Sequence, residues 1–227
     1  MKTQSFSKEE AIKFGWETTK KNFGFFILLL IVYGGLYYIP YLIMELAGEL
    51  NSFVQFTFQI AGWILRIIIS IGFLKILLKF CKDEQPSIKD LFSASHLFFK
   101  YLGTRILYSV IISIGFLLLI VPGIIFMLKF YLYGYYVVDM ELGPVQALKR
   151  SAVVTKGVKK DLFFFLLALA GINIIGLLFL GVGLFATIPL TSLAVVYVYK
   201  ELEYNSRPSV IKDKLNSDNP IPVNFEI

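Results

Sequence analysis

The sequence predicts an all-α integral membrane protein with six transmembrane helices, arranged as three antiparallel hairpins. Three observations predict it. The chain is 57% hydrophobic and 17% charged, against roughly 45–50% and about 25% in an average soluble domain. Its apolar residues fall into six long runs, and a helix needs about 20 such residues to cross a bilayer. All but three of its 22 Lys and Arg lie beside the first run or on alternate connections. They flank the first run (Lys20, Lys21) and gather between the second and third (Lys79 to Arg105). They gather again between the fourth and fifth (Lys149 to Lys160) and after the sixth (Lys200 to Lys214). The connections Glu45 to Ser52, Val121-Pro122-Gly123 and Gly181-Val182-Gly183 hold none. Positive charge stays on the cytoplasmic side, so both termini are expected there. The N-terminus is too polar for a cleavable signal peptide, and the first run is expected to remain as a span.

Taken in order, the first run is Phe23 to Met44, with Gly34, Gly35 and Pro40 inside it. Neighbouring helices make such residues tolerable in spans. The second, about Phe53 to Phe80, is interrupted by Arg66 and Lys75. The third runs from about Gly103 to Val121, and the fourth from Ile124 to Val138 with Lys129 inside it. The fourth is roughly 22 Å long at 1.5 Å per residue, short of a full bilayer. The fifth is about Leu162 to Leu180, and the sixth about Leu184 to Tyr199 with Pro189. The membrane domain is thus 1–204, with hairpins at about 23–80, 103–138 and 162–199. Pro122 and Gly123 are expected to reverse the second hairpin, and Gly181 and Gly183 the third. Residues 205–227 read as a polar cytoplasmic tail without fixed structure.

A similar segment precedes each hairpin: Ser7 to Lys20, Ser87 to Lys100, and Gly143 to Lys156. Ser7 and Ser87 suit N-caps and Pro144 a first helical position. Each segment is therefore expected to form a short cytoplasmic amphipathic helix. Ile12, Trp16 and Thr19 mark one stripe of the first, and an interfacial Trp fits the aromatic belt. His96 and Phe99 share a face of the second, with Lys100 able to snorkel to headgroups. Such helices can sense lipid or simply pack beneath the bundle, and packing is the expectation.

Arg66 is the sharpest single residue, because a cation at a span's centre costs about 2.5–3.5 kcal/mol. Two readings stand for it. It binds an anion such as a phosphate or carboxylate headgroup, or it is satisfied by backbone carbonyls and snorkelling. Lys129 is expected to reach the outer interface, and Lys75 to snorkel. If Arg66 and Lys129 converged, they would form a positive pocket open to the outside.

No enzyme signature accompanies them. The lone histidine, His96, has no metal-ligand spacing, and neither a nucleophile elbow nor a phosphate-binding glycine loop is present. Asp139, Glu141 and Asp161 are expected to balance Lys149, Arg150, Lys159 and Lys160 or to favour helix N-termini. The lone Cys81 reads as an inert thiol, with reversible acylation as the alternative. No cofactor is expected. The net charge of +6 suits anionic headgroups beside spans and not nucleic acid.

The stretch Ile120-Val121-Pro122-Gly123-Ile124, the tyrosine-rich Tyr131 to Tyr136, Asp139, Ala147-Leu148, Ser151 and Lys156-Gly157 carries a resemblance. So do Phe14-Gly15-Trp16 and Lys20-Lys21-Asn22-Phe23. They resemble an uncharacterised bacterial family of polytopic membrane proteins, related to the membrane domain joined to some glycerophosphodiester phosphodiesterases. The resemblance implies an all-helical bundle and a multi-pass location in the bacterial plasma membrane. The sequence holds no hydrolase domain, so the phosphodiesterase activity is not carried over. The expectation is a non-enzymatic accessory or scaffold whose partners are membrane lipids, a membrane protein or further copies of itself. The alternative is a small transporter or lipid-handling permease using Arg66 and Lys129.

Overall fold

The computed structural model describes residues 5–46 and 51–207, and they are helical with no strand. Most of the expected tail lies outside the described residues. The helices are α1 (Lys8–Lys21), α2 (Phe23–Leu46), α3 (Ser52–Phe80), α4 (Phe98–Leu118) and α5 (Ile120–Phe130). They continue with α6 (Tyr133–Asp139), α7 (Pro144–Val154), α8 (Lys159–Leu178) and α9 (Leu184–Asn205). Five stretches are long and apolar enough to cross a membrane: Phe23–Glu45, Ser52–Phe80, Ile88–Leu118, Ile120–Asp139 and Lys159–Leu178. Their outward faces carry large apolar side chains, such as Phe53 at 76% exposure and Leu117 at 87%. A surface of that kind is expected where lipid replaces water.

The sixth run, α9, does not join those five. It is the central helix, buried almost without interruption from Pro189 to Glu203 and packed against α1, α2, α3 and α8. A helix buried on all sides reads as apolar all round until its polar end. In α9 that end carries Lys200, Glu201 and Glu203.

Local chemistry explains the helix starts. Ser7 Oγ accepts from the Glu10 amide at 3.2 Å, and Pro144 occupies the first turn of α7, where its missing N–H costs no bond. The middle segment departs from expectation. Residues 87–100 form two 3-10 turns, Ile88–Leu91 and Ser95–Leu97, that lead into α4. Ser87 and Asp90 close a capping box on the first turn, and that local bonding competes with a longer helix.

The first short helix keeps Ile12 and Thr19 of the expected stripe against the bundle but not Trp16. Ala11, Gly15 and Thr19 are its buried residues, whereas Trp16 is half exposed. A side chain at Gly15 would overlap the Leu190 carbonyl, so glycine lets the α1 backbone lie directly on α9. Small residues serve close helix approach in this way.

Two turns also need correction. The second hairpin reverses at Leu119, whose extended backbone (φ −171°, ψ 160°) separates α4 from α5. Pro122 lies in the first turn of α5, and Gly123 makes room for the Phe116 ring. The fourth stretch therefore begins at Ile120 and is 20 residues long to Asp139, which removes its apparent shortness. In the third hairpin, Leu180 (φ 55°) and Gly181 (φ 76°) make the left-handed turn. Gly183 instead sits against the backbone of Gly176.

The fourth stretch is also broken at Tyr131 and Leu132, between α5 and α6. The freed backbone groups find partners on α7. The Leu132 amide donates to Ser151 Oγ at 3.2 Å, and Ser151 Oγ and Thr155 Oγ1 donate to the Lys129 carbonyl at 3.1 and 3.0 Å. An apolar surrounding makes such replacement obligatory.

Candidate functional site

Arg66 projects from the middle of α3. Its guanidinium carbon lies 4.5 Å from the centroid of the Tyr37 ring on α2. Nη2 donates to the Tyr37 carbonyl at 3.5 Å, beyond the usual range of about 2.7–3.2 Å. Nε is buried and has no hydrogen-bond partner among the described residues. No carboxylate there pairs with this cation either. A cation–π contact contributes about 0.5–2 kcal/mol. That offsets only part of the roughly 2.5–3.5 kcal/mol a central cation costs.

Beside Arg66 lies a cleft of about 500 Å³. Tyr41 and Met44 line it from α2, and Phe56, Gln59, Trp63 and Arg66 from α3, with further apolar residues of α3. It is thus a gap between the last turns of α2 and the first half of α3. Phe56 to Arg66 measures about 15 Å along the axis at 1.5 Å per residue. Helical side chains lean toward the N-terminus, which directs the Arg66 head along this gap. Gln59, Trp63 and Arg66 stand at spacings of four and three, one face of a helix. That periodicity was available in the sequence. Tyr37 was not recognisable as a partner, because nothing local pairs α2 with α3 in that register.

Lys129 does not share the cleft, none of whose lining residues comes from α5. Its ammonium lies 5.1 Å from the centroid of the Phe130 ring. His96 and Lys100 both turn to the loop after α6. His96 Nε2 is 3.2 Å from Glu141 Oε1, and Lys100 Nζ donates to the Glu141 carbonyl at 2.8 Å. Beside this tie the Lys100 side chain stays 44% exposed.

The polar end of α9 is the other concentration of charge. Asp139 pairs with Lys200 at 2.7 Å and Lys82 at 3.0 Å, and accepts from the Tyr199 hydroxyl at 2.8 Å. Glu203 receives a two-pronged Arg150 at 2.7 and 3.1 Å and the Tyr136 hydroxyl at 2.8 Å. Arg207 adds a contact at 3.5 Å. Asp161 pairs with Lys8 at 2.8 Å. Asp139 and Glu141 therefore find partners far along the chain rather than Lys149, Arg150, Lys159 or Lys160, whereas Asp161 stands in the first turn of α8, as a helix N-terminus favours, and pairs with Lys8. Only tertiary packing brings those partners in.

Glu201, also buried, accepts from the Ser7 amide at 3.2 Å on both carboxylate oxygens. Burial pushes its pKa up to about 7, Glu10 adds to the rise, and the Ser7 bond opposes it. Cys81 is buried and burial pushes its thiol up to about 12, which makes it a poor nucleophile at neutral pH. Among the described residues no three His, Cys, Asp or Glu side chains converge as a metal-ligand set.

No family model, no curated protein and no solved structure matches the chain. Its function is therefore argued from its own residues.

Proposed function

We propose that this chain is a six-crossing accessory protein of the bacterial plasma membrane that binds lipid, with both termini cytoplasmic. It would belong to the family it resembles. The sixth crossing is α9, whose apolar part lies inside the bundle and needs less lipid-facing hydrophobicity than the other five. One observation carries the functional reading. The charges at the end of α9 are engaged with one another, whereas the mid-span guanidinium of Arg66 borders a cleft that, among the described residues, is lined by α2 and α3. Paired charges hold helices together. One without a carboxylate partner among the described residues, beside a lateral gap, suits a ligand that comes from the membrane. A through-route would need Arg66 and Lys129 to line one cavity, and the cleft contains only the first.

Gentle purification followed by mass spectrometry of co-purifying lipids tests this reading. Lipid retained at a fixed stoichiometry supports it. Protein free of lipid but paired with a stoichiometric protein partner contradicts it. For the topology, reporter fusions at Glu49 and Pro122 should read outside, and those at Lys89, Gly157 and Asn216 inside. Any reversal would sink the six-crossing arrangement.

A further inference from the structure

We infer that the gap between α2 and α3 is a binding site for an anionic amphiphile, a carboxylate or phosphate carried on an acyl chain, with Arg66 as its anchor. The inference rests on the lipid-binding reading and names the site and the ligand class.

The charge comes first. A guanidinium offers five N–H donors, and in this protein one of them makes a long bond to a carbonyl while Nε makes none. No carboxylate among the described residues supplies the counter-charge. A half-buried charge with a buried Nε gains from such a partner, and planar oxyanions match the fork of Arg better than any other group. The Tyr37 ring at 4.5 Å covers one face of the guanidinium. That contact fixes the plane in which an oxyanion must approach.

The walls decide what carries the anion. Tyr41, Met44, Phe56 and Trp63 present rings and a thioether to the gap, and Gln59 adds an amide. Free inorganic phosphate would lose its water there and gain only one cation. An acyl chain would cover the aromatic walls, and Gln59 suits an ester or hydroxyl near the head. A volume of about 500 Å³ falls within the range of roughly 300–1,000 Å³ of ligand sites. Half the surface of Trp63 remains exposed along this route, so an incoming chain meets it before reaching Arg66.

The test uses the full chain in detergent, stripped of lipid, and native mass spectrometry. Equal concentrations of phosphatidylglycerol and diacylglycerol are offered together, with oleate and inorganic phosphate in separate arms. The wild type should retain phosphatidylglycerol about tenfold over diacylglycerol, the size of one charge-assisted contact. Oleate should compete and inorganic phosphate should not. Arg66→Gln should abolish the preference, Arg66→Lys should keep part of it, and Lys129→Gln should leave it unchanged. Trp63 supplies a second readout. With Trp16→Phe removing the only other tryptophan, its emission should shift on adding the anionic lipid and stay still in Arg66→Gln. Equal retention in Arg66→Gln overturns the site and leaves lipid binding standing. A wild type that retains neither lipid overturns both. Displacement by inorganic phosphate overturns the requirement for a chain.

Discussion

At the end of α9, Asp139 is held by two lysines and a tyrosine, and Glu203 by two arginines and a tyrosine. Midway along α3, Arg66 has one aromatic face and one long bond. The two regions use charge in opposite ways. At the α9 end, removing the basic partners strands the buried Asp139 or Glu203, so the pairs tie α6, α7 and the turn after α3 around the central helix. At Arg66, removal strands nothing. The contrast separates charges that hold helices together from one that, among the described residues, has no carboxylate partner.

Breaking the lock should have the largest effect. Glu203→Ala leaves Arg150 and the Tyr136 hydroxyl without their shared acceptor, at a cost of about 3 kcal/mol. A marked fall in the melting temperature in detergent is expected. An unchanged value would remove the α9 end from the list of structural ties.

A change of pH tests the same end next. Glu201 in the fold has its pKa raised from 4.5 to about 7, so the folded state favours its protonated form. The stability this contributes is fully present below about pH 4.5. It is lost as pH rises to about 7, and stays lost above that, a change of roughly 1–3 kcal/mol. Protection factors in α1, which Glu201 holds through Ser7, corrected for the base-catalysed intrinsic rate, should accordingly be lower at pH 8 than at pH 5. Glu201→Gln should flatten that difference, and an equal pH dependence in the variant would contradict the assignment.

A smaller loss is expected where polarity repairs a helix break. Ser151→Ala deprives the Leu132 amide of its acceptor, for about 1–2 kcal/mol. Faster exchange at Leu132 than at its neighbours would locate the effect. If the exchange does not change, another group must be satisfying that amide.

These regions also differ in how far they could be read without coordinates. Helix starts at Ser7 and Pro144 and the turn at Gly181 follow from local chemistry, and they stand where expected. The isolation of Arg66 from carboxylates was legible too, since no run carries a deep Asp or Glu. The α9 ties were not. Lys82, Asp139 and Lys200 are far apart in the chain, and so are Arg150 and Glu203; each set meets only because α9 is central. Gly15 was missed because its value is the absence of a side chain against Leu190. The break at Tyr131 lies within an unbroken apolar pattern, and its compensation by Ser151 and Thr155 comes from another helix. The reversal at Leu119 was misplaced by three residues because Pro122 marks a helix start as readily as a turn.

The smallest expected loss of intrinsic stability is at Arg66, and it offers the most direct test. Wild type and Arg66→Gln are stripped of lipid and melted in detergent, then melted again with phosphatidylglycerol. Without lipid the variant should melt no lower than the wild type, because the contact with Tyr37 offsets only part of the cost of the central charge. Added lipid should raise the wild type by mass action and leave the variant where it was. A variant that is strongly destabilised without lipid, or gains as much from lipid as the wild type, would contradict the claim that Arg66 is held for a ligand.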